Sequence, residues 1–208
     1  NMTKRCNLRC IHCYARAENE TYRGNELSTD EGKRLIDDLA EFGVPVILFS
    51  GGEPVLRKDL PDLIDYAVKK GLRAVISTNG TLITEEKAKQ FARYALSYIG
   101  ISIDGTGKVN DAFRGVDGAY DLAINGVRNA KHAGIKVGLR FTINKKNYNE
   151  IQRIFDIIET EGIQRVCFYH LVYAGRGSQL INEDISHEES RKVVDYIMDR
   201  TKESFKKG

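Results

Sequence analysis

The sequence predicts an α/β fold, a partial and open (βα)6 barrel resembling a TIM barrel that stops short of closure. Three observations carry this expectation. Short β-rich runs alternate with amphipathic helical patterns at intervals of roughly 30 residues, the spacing of right-handed crossovers in a parallel sheet. The units number six, fewer than the eight that close a barrel. The residue types with chemistry in them gather where these runs end, at the carboxyl ends of the strands, where βα barrels build their sites.

Taken in order, Asn1-Met-Thr-Lys-Arg5 is expected as a first strand cut off at its start, which marks the sequence as an excerpt of a longer protein. Ser28 with Glu31 three residues on forms a capping box that opens a helix to about Phe42. Val46–Ser50 is the second strand, followed by a helix from about Asp59 to Lys70 that Gly71 closes. Arg73–Ser77 and a helix from about Thr84 make the next unit, and Tyr98–Ser102 with a helix over Tyr120–Ala133, ended by Gly134, the one after. Lys136–Ile143 is the fifth strand. Asn147 and Glu150 read as a second capping box for the following helix, and Arg165–His170 is the last strand. This core occupies residues 1–180, and residues 181–208 read as a polar helix leading to a carboxyl-terminal region that the chain lacks.

Composition narrows the class. The chain has 208 residues, 41% apolar and 29% charged, which fits one globular domain and excludes disorder, collagen and coiled coil. The net charge of +3 is spread with both signs interspersed, so no nucleic-acid footprint stands out, while an anionic small molecule is compatible. The longest apolar run, Val44–Phe49, falls far short of the roughly 18 residues that span a bilayer, so no membrane partner is expected. Three of the four cysteines crowd into one stretch while Cys167 stands apart, unlike a secreted disulfide framework, and a reducing, cytoplasmic location is expected.

That stretch, Cys6-Asn-Leu-Arg-Cys10-Ile-His-Cys13-Tyr14, lets one short loop aim three thiols at one centre. Thiolates select zinc or iron-sulfur clusters. A closed zinc site needs four ligands, with His12 or Cys167 as the fourth, and a noncatalytic zinc-stabilised binding module is one reading. A four-iron cluster held by three thiolates instead leaves one iron open, a catalytic arrangement. Cys167, in a β-rich run, reads as a small buried hydrophobe without chemistry.

The spacing of Cys6, Cys10 and Cys13 resembles the C-x3-C-x2-C signature of the radical S-adenosylmethionine (SAM) enzymes. Further motifs agree with it: Ser50-Gly51-Gly52-Glu53-Pro54, Ser77-Thr78-Asn79-Gly80 and Ser102-Ile-Asp104-Gly105, each following a strand. The resemblance implies that Cys6, Cys10 and Cys13 hold a 4Fe-4S cluster whose free iron chelates SAM. It also implies that Gly51, Gly52 and Glu53 bind the methionyl ammonium, that Ser77 and Asn79 meet polar groups of the ligand, and that Ser102 and Asp104 lie further along it. Arg140 is a fork-shaped partner for the SAM carboxylate, or else an outward-pointing surface cation. His12 and Tyr14 are placed near the adenine, with His170 and Leu171 offering backbone hydrogen bonds to the base.

Within that superfamily, Phe168–Gly177, Gly138–Asn144 and Ile101–Gly105 resemble the branch that modifies iron tetrapyrroles. The implied reaction is removal of acetate side chains from didecarboxysiroheme to give Fe-coproporphyrin in haem biosynthesis. An electron donor and a second cluster, in the carboxyl-terminal region that the chain lacks, belong to the same implication. A peptide-modifying maturase of the same superfamily is the alternative. Arg114 and Arg176 are the candidate rim cations for the carboxylates of the anionic iron tetrapyrrole, Arg176 with flanking glycines that would admit a flat ligand; solvated surface arginines are the alternative for both.

Overall fold

The computed structural model describes residues 1–22 and 24–207. Five strands, β1 (Val46–Phe49), β2 (Arg73–Thr78), β3 (Tyr98–Ser102), β4 (Val137–Ile143) and β5 (Val166–His170), pair in parallel and in chain order. They make a half-barrel. Seven α-helices follow the chain among the described residues: α1 (Thr29–Glu41), α2 (Leu60–Lys69), α3 (Glu85–Arg93), α4 (Lys108–Arg114), α5 (Ala119–His132), α6 (Ile151–Glu161) and α7 (His187–Lys207).

The period-2 alternation of the strands sorts the two faces of the sheet. Ile99, Ile101 and Ile103, with Leu139, Phe141 and Ile143, are buried in the main apolar core, which the helices complete through Leu60, Leu63, Ile64, Ala67, Phe91 and Val127. The intervening residues Ser77, Ser102, Arg140 and Thr142 line a cavity on the other face. Parallel strands covered on both sides usually read as continuous apolar runs. Here the inner face sets polar residues among apolar ones such as Leu48 because it walls a site.

The strand expected at residues 1–5 is not formed among the described residues. Its backbone instead runs along the loop after β1, where Gly52 and Glu53 donate their amides to Thr3 and Arg5 carbonyls, both at 2.7 Å, and a single bridge joins Arg5 to Glu18. The sixth unit of the expected barrel is thereby replaced by an extended strap that leads directly into the cysteines.

Capping follows the sequence at α1, where Ser28 and Glu31 form both bonds of the box, and at α3, where Thr84 accepts from the Lys87 amide. The second expected box is not made. Asn147 is drawn instead to tertiary partners, its amide donating to the Asp104 and Thr142 carbonyls, while Glu150 accepts from Thr106, and a 3-10 turn over Tyr148–Glu150 precedes α6. Helix α4 lies in what the sequence presents as a plain connection. Helix α7 begins after a 3-10 turn over Gly175–Glu183. It packs on α6, with Tyr196 edge-on to Phe155 and Arg200 over the same ring. The predicted helix end at Gly208 lies outside the described residues. No helix among the described residues is long and apolar enough to cross a membrane.

Leu63 of α2 is fully buried, whereas Leu35 on the outer side of α1 is 46% exposed. Leu63→Ala is expected to lower unfolding free energy by ~2–5 kcal/mol, and Leu35→Ala by no more than about 0.5 kcal/mol. Urea denaturation of the two variants checks this, and equal effects would contradict the assignment of the core face.

Candidate functional site

The cysteine loop has little regular structure of its own and is held from four directions by backbone and side-chain bonds. The strap at residues 1–5 fixes its entry. The end of α4 grips its middle, where the Arg9 and Ile11 amides donate to the Arg114 and Phe113 carbonyls, each at 3.0 Å. The turn after β5 grips its far side: the Arg176 amide donates to the Cys13 carbonyl at 2.9 Å, and its guanidinium donates to the carbonyls of Cys10 (2.8 Å) and Ala17 (2.9 Å). Finally, the Cys6 amide donates to Glu18 at 2.8 Å.

This geometry revises the expected role of Arg176. Its guanidinium is committed to loop carbonyls, not displayed as a rim cation. Gly175, at positive φ, is required because a Cβ there would collide with the Cys13 and Tyr14 carbonyls. The glycine admits the cysteine loop instead of a flat ligand. Gly52 is required for a similar reason, since a Cβ would strike the Arg5 carbonyl of the strap.

Cys6, Cys10 and Cys13 are free thiols that line one cavity of about 410 Å³, a volume in the range of small-molecule sites. Each sulfur accepts an N–H: Cys6 from the Leu8 amide and Cys13 from the Ala17 amide, both at 3.4 Å, and Cys10 from Arg114 Nη1 at 3.6 Å. Burial pushes the Cys6 thiol up to about 12. Burial raises Cys10 as well, against the opposing pull of Arg114. A thiolate here calls for a cationic centre beside it. Cys167 is free and only half-buried, on β5 opposite Arg140, so it is less enclosed than the sequence predicts.

Asp104 is not where its motif implies, and Arg114 is not the loop cation that the sequence suggests. Asp104 is 1% exposed and absent from the cavity wall; its carboxylate lies 2.6 Å from Arg114 Nη2 and 3.2 Å from His12 Nε2, and it accepts from the Thr142 amide at 2.8 Å. Burial works against its charge, but Arg114 and His12 outweigh it and hold the carboxyl down at about 2. Arg114 is 7% exposed, a buried partner of Asp104 and Cys10 instead of a rim cation in a loop. His12 reaches the cavity wall with its ring fixed between Asp104 and the edge of Phe113.

Glu53 is also turned inward. It is fully buried, off the cavity wall, and accepts from the Val55 amide (3.1 Å), the Asn79 amide (2.8 Å) and the Thr78 hydroxyl (2.7 Å). Burial raises its pKa despite these three donors. Its carboxylate ties the loop after β1 to the loop after β2, leaving Gly51 and Gly52 themselves at the cavity. Leu171 is buried and likewise off the wall.

The structure does bring together, on one wall, Cys6, Cys10, His12, Cys13, Tyr14, Gly51, Gly52, Ser77, Asn79, Ser102, Arg114, Arg140, His170 and Arg176. Arg140 points into the cavity with Nη1 donating to Ser77 at 2.7 Å, so the outward-pointing alternative is set aside. Sequence reasoning missed Asn7, whose side chain bonds Asn79 and Thr81, and Phe113, Thr142 and Tyr169. Thr142 and Tyr169 were within reach of the strand alternation, which places them on the inner face with Arg140. Nothing local to Phe113 signals its contact with His12.

A half-barrel with a three-cysteine loop at its carboxyl rim defines a class, and the comparisons with known proteins agree: the chain belongs to the radical SAM superfamily, whose family model matches residues 1–158. Its sequence is 62% identical over 208 residues to Fe-coproporphyrin III synthase of Methanosarcina barkeri, covering 100% of this chain and 52% of that protein. It is 43% identical to pre-heme d1 synthase of Dinoroseobacter shibae, covering 98% of this chain and 50% of that one. The chain thus spans about half the length of these relatives. The crystal structure of Streptococcus suis SuiB bound to S-adenosylmethionine shares the fold, with a TM-score of 0.83 at 20% identity over 97% of this chain and 46% of that one.

Members of this superfamily use SAM and a 4Fe-4S cluster, and the donor set here fits them. Three thiols on one loop, each with an N–H at sulfur, suit a cluster that offers a separate iron to each.

The Asp104 carboxyl yields a pH prediction. Its folded pKa of about 2 lies below the ordinary 3.8, so its stabilisation is complete above the ordinary value and drains as pH falls towards 2. Between pH 5 and pH 2 the parent chain should lose on the order of 2 kcal/mol more than Asp104→Asn. Urea titrations at the two pH values check this; parallel losses would show that the pair contributes no acid sensitivity.

Proposed function

We propose that the chain is the radical SAM core of an enzyme that removes acetate side chains from didecarboxysiroheme, giving Fe-coproporphyrin in haem biosynthesis. The observation that carries this reading is the 62% identity, over the whole chain, to a Fe-coproporphyrin III synthase, with a pre-heme d1 synthase also similar. Both relatives are named for haem-type macrocycles.

In this reading Cys6, Cys10 and Cys13 hold the cluster. When bound and supplied with one electron by an external donor, the cluster and SAM would provide the radical chemistry that takes hydrogen from the substrate. The chain's own residues position and shield. The backbone of Gly51 and Gly52 faces the SAM ammonium, while the Arg140 guanidinium, braced by Ser77, forks onto the SAM carboxylate. Asn79 and Ser102 meet polar groups, and Tyr14, His12 and His170, with the backbone at Leu171, surround the base. Glu53 and Asp104 act from behind the wall, holding the glycine loop and the cysteine loop in place.

The open side of the half-barrel suits a flat macrocycle. Leu48, Tyr169, Val172 and Tyr14, all on the cavity wall, are 45%, 44%, 56% and 56% exposed, an apolar frame beside the cationic Arg140. With Arg114 and Arg176 committed to the cysteine loop, rim cations for the propionate arms belong to the remaining half of the enzyme. A second cluster there and a one-electron donor, in a reducing cytoplasm, complete the proposal.

The full-length enzyme, reduced anaerobically with SAM and didecarboxysiroheme, is expected to form Fe-coproporphyrin, detected by mass. SAM cleavage without any change in the tetrapyrrole would overturn the substrate. Cys10→Ala should lose the reduced-cluster paramagnetic signal and most of the iron and labile sulfide. Arg140→Gln should keep both while binding SAM about tenfold more weakly, about 1.4 kcal/mol, measured by anaerobic titration; unchanged affinity would remove Arg140 from the SAM site.

A further inference from the structure

Two arginines reach the cysteine loop, and they do different things. Arg176 is half-buried and bonds only carbonyl oxygens. Arg114 is 7% exposed and places Nη1 on the Cys10 sulfur itself, at 3.6 Å, with Nη2 on Asp104 at 2.6 Å. Clamping a loop needs no buried charge, as Arg176 demonstrates. A guanidinium taken out of water needs a partner for its charge, which Asp104 supplies at one edge of the fork, and the other edge is aimed at the Cys10 sulfur.

Its position is rigidly set. The Arg114 carbonyl accepts from the Arg9 amide, so the backbone that carries the guanidinium is tied to the loop that carries the thiol. Asp104, which holds the other edge of the fork, is itself fixed by the Thr142 amide and His12, and its own amide donates to the Asn110 side chain at 3.0 Å. The side chain cannot leave the sulfur without breaking a buried ion pair. The guanidinium thus bridges the two groups, with the Cys10 sulfur 3.6 Å from Nη1 and the Asp104 carboxylate 2.6 Å from Nη2.

We propose that Arg114 is a positioning residue that acts through Cys10 to hold the reduction potential of the bound cluster less negative, with Asp104 as its opposing charge. The inference rests on the reading that Cys6, Cys10 and Cys13 hold a four-iron cluster. The step concerned takes one electron from a low-potential one-electron donor, which is oxidised by one electron; no bond is made or broken and no proton moves. Negative charge on Cys10 Sγ grows in that step. A fixed cation and N–H at that sulfur stabilise the reduced state, and a nearby carboxylate opposes it.

The test is a potentiometric titration of the full-length enzyme, reconstituted anaerobically without SAM and followed by electron paramagnetic resonance, using the signal that Cys10→Ala abolishes. Arg114→Gln is expected to shift the midpoint to a more negative potential, Arg114→Lys to stay near the parent, and Asp104→Asn to shift it to a more positive one. A merely structural role would not produce shifts of opposite sign. A cluster in Arg114→Gln that titrates at the parental potential overturns the inference, as does a shift in the same direction in Arg114→Gln and Asp104→Asn. If Arg114→Gln alone fails to hold its cluster, Asp104→Asn decides, a more positive midpoint supporting and an unchanged one overturning. Loss of the cluster in all three variants, with circular dichroism unchanged, also overturns it in favour of a structural role. A parent that takes up no four-iron cluster overturns the cluster reading instead, and that outcome is recognised by iron and sulfide analysis before any titration.

Discussion

The buried pair of Asp104 and Arg114, 2.6 Å apart, is the contact through which the rest of the site is organised. Each partner alone would be a charge stranded in the protein interior, which typically costs several kcal/mol, so the two must be placed together. Asp104 stands just beyond β3 and Arg114 ends α4, and their pairing folds the connection between them back over the sheet. The same carboxylate reaches His12, and the same guanidinium reaches Cys10. One ion pair therefore fixes α4 against the sheet and the cysteine loop against α4.

The other supports of the loop share a physical logic. A segment with three thiols buries only a small apolar cluster of its own, Leu8 and Ala17 with Cys6 against Ala119, so its backbone polar groups are satisfied by neighbours. The strap at residues 1–5, the end of α4 and the turn after β5 each supply hydrogen-bond partners. Glycines stand where those partners come closest, at Gly52 against the strap and Gly175 against the loop. Glu53 performs the corresponding task between the loops after β1 and β2. Its three donors make a buried carboxylate a fixed joint.

The half-barrel makes this possible by dividing labour between its faces. The helix side carries the isoleucines and phenylalanines that stabilise the fold, and the inner side is left free for Ser77, Ser102, Arg140 and Thr142. Stability and chemistry thus lie on alternate residues of the same strands, and a side chain on the inner face can change without disturbing the core.

The sequence by itself determined the five strands of the sheet, though it also offered a sixth at residues 1–5 that does not form, together with most helices, the capping of α1 and the identity of the three thiols as one group. These depend on near neighbours: the alternation of a strand, the reach of a cap over three residues, the span of one loop. It also placed the glycine, serine and asparagine motifs at strand ends, because topology alone carries those ends to one rim. What only the tertiary structure decided is the direction in which the charged side chains of those motifs turn. Glu53 and Asp104 face behind the wall, and Arg114 and Arg176 face the cysteine loop, 104 and 166 residues from Cys10 along the chain. A long charged side chain takes its partner from whatever the fold brings within a few ångströms. The cost of burying it unpaired, which no local pattern records, decides which partner that is.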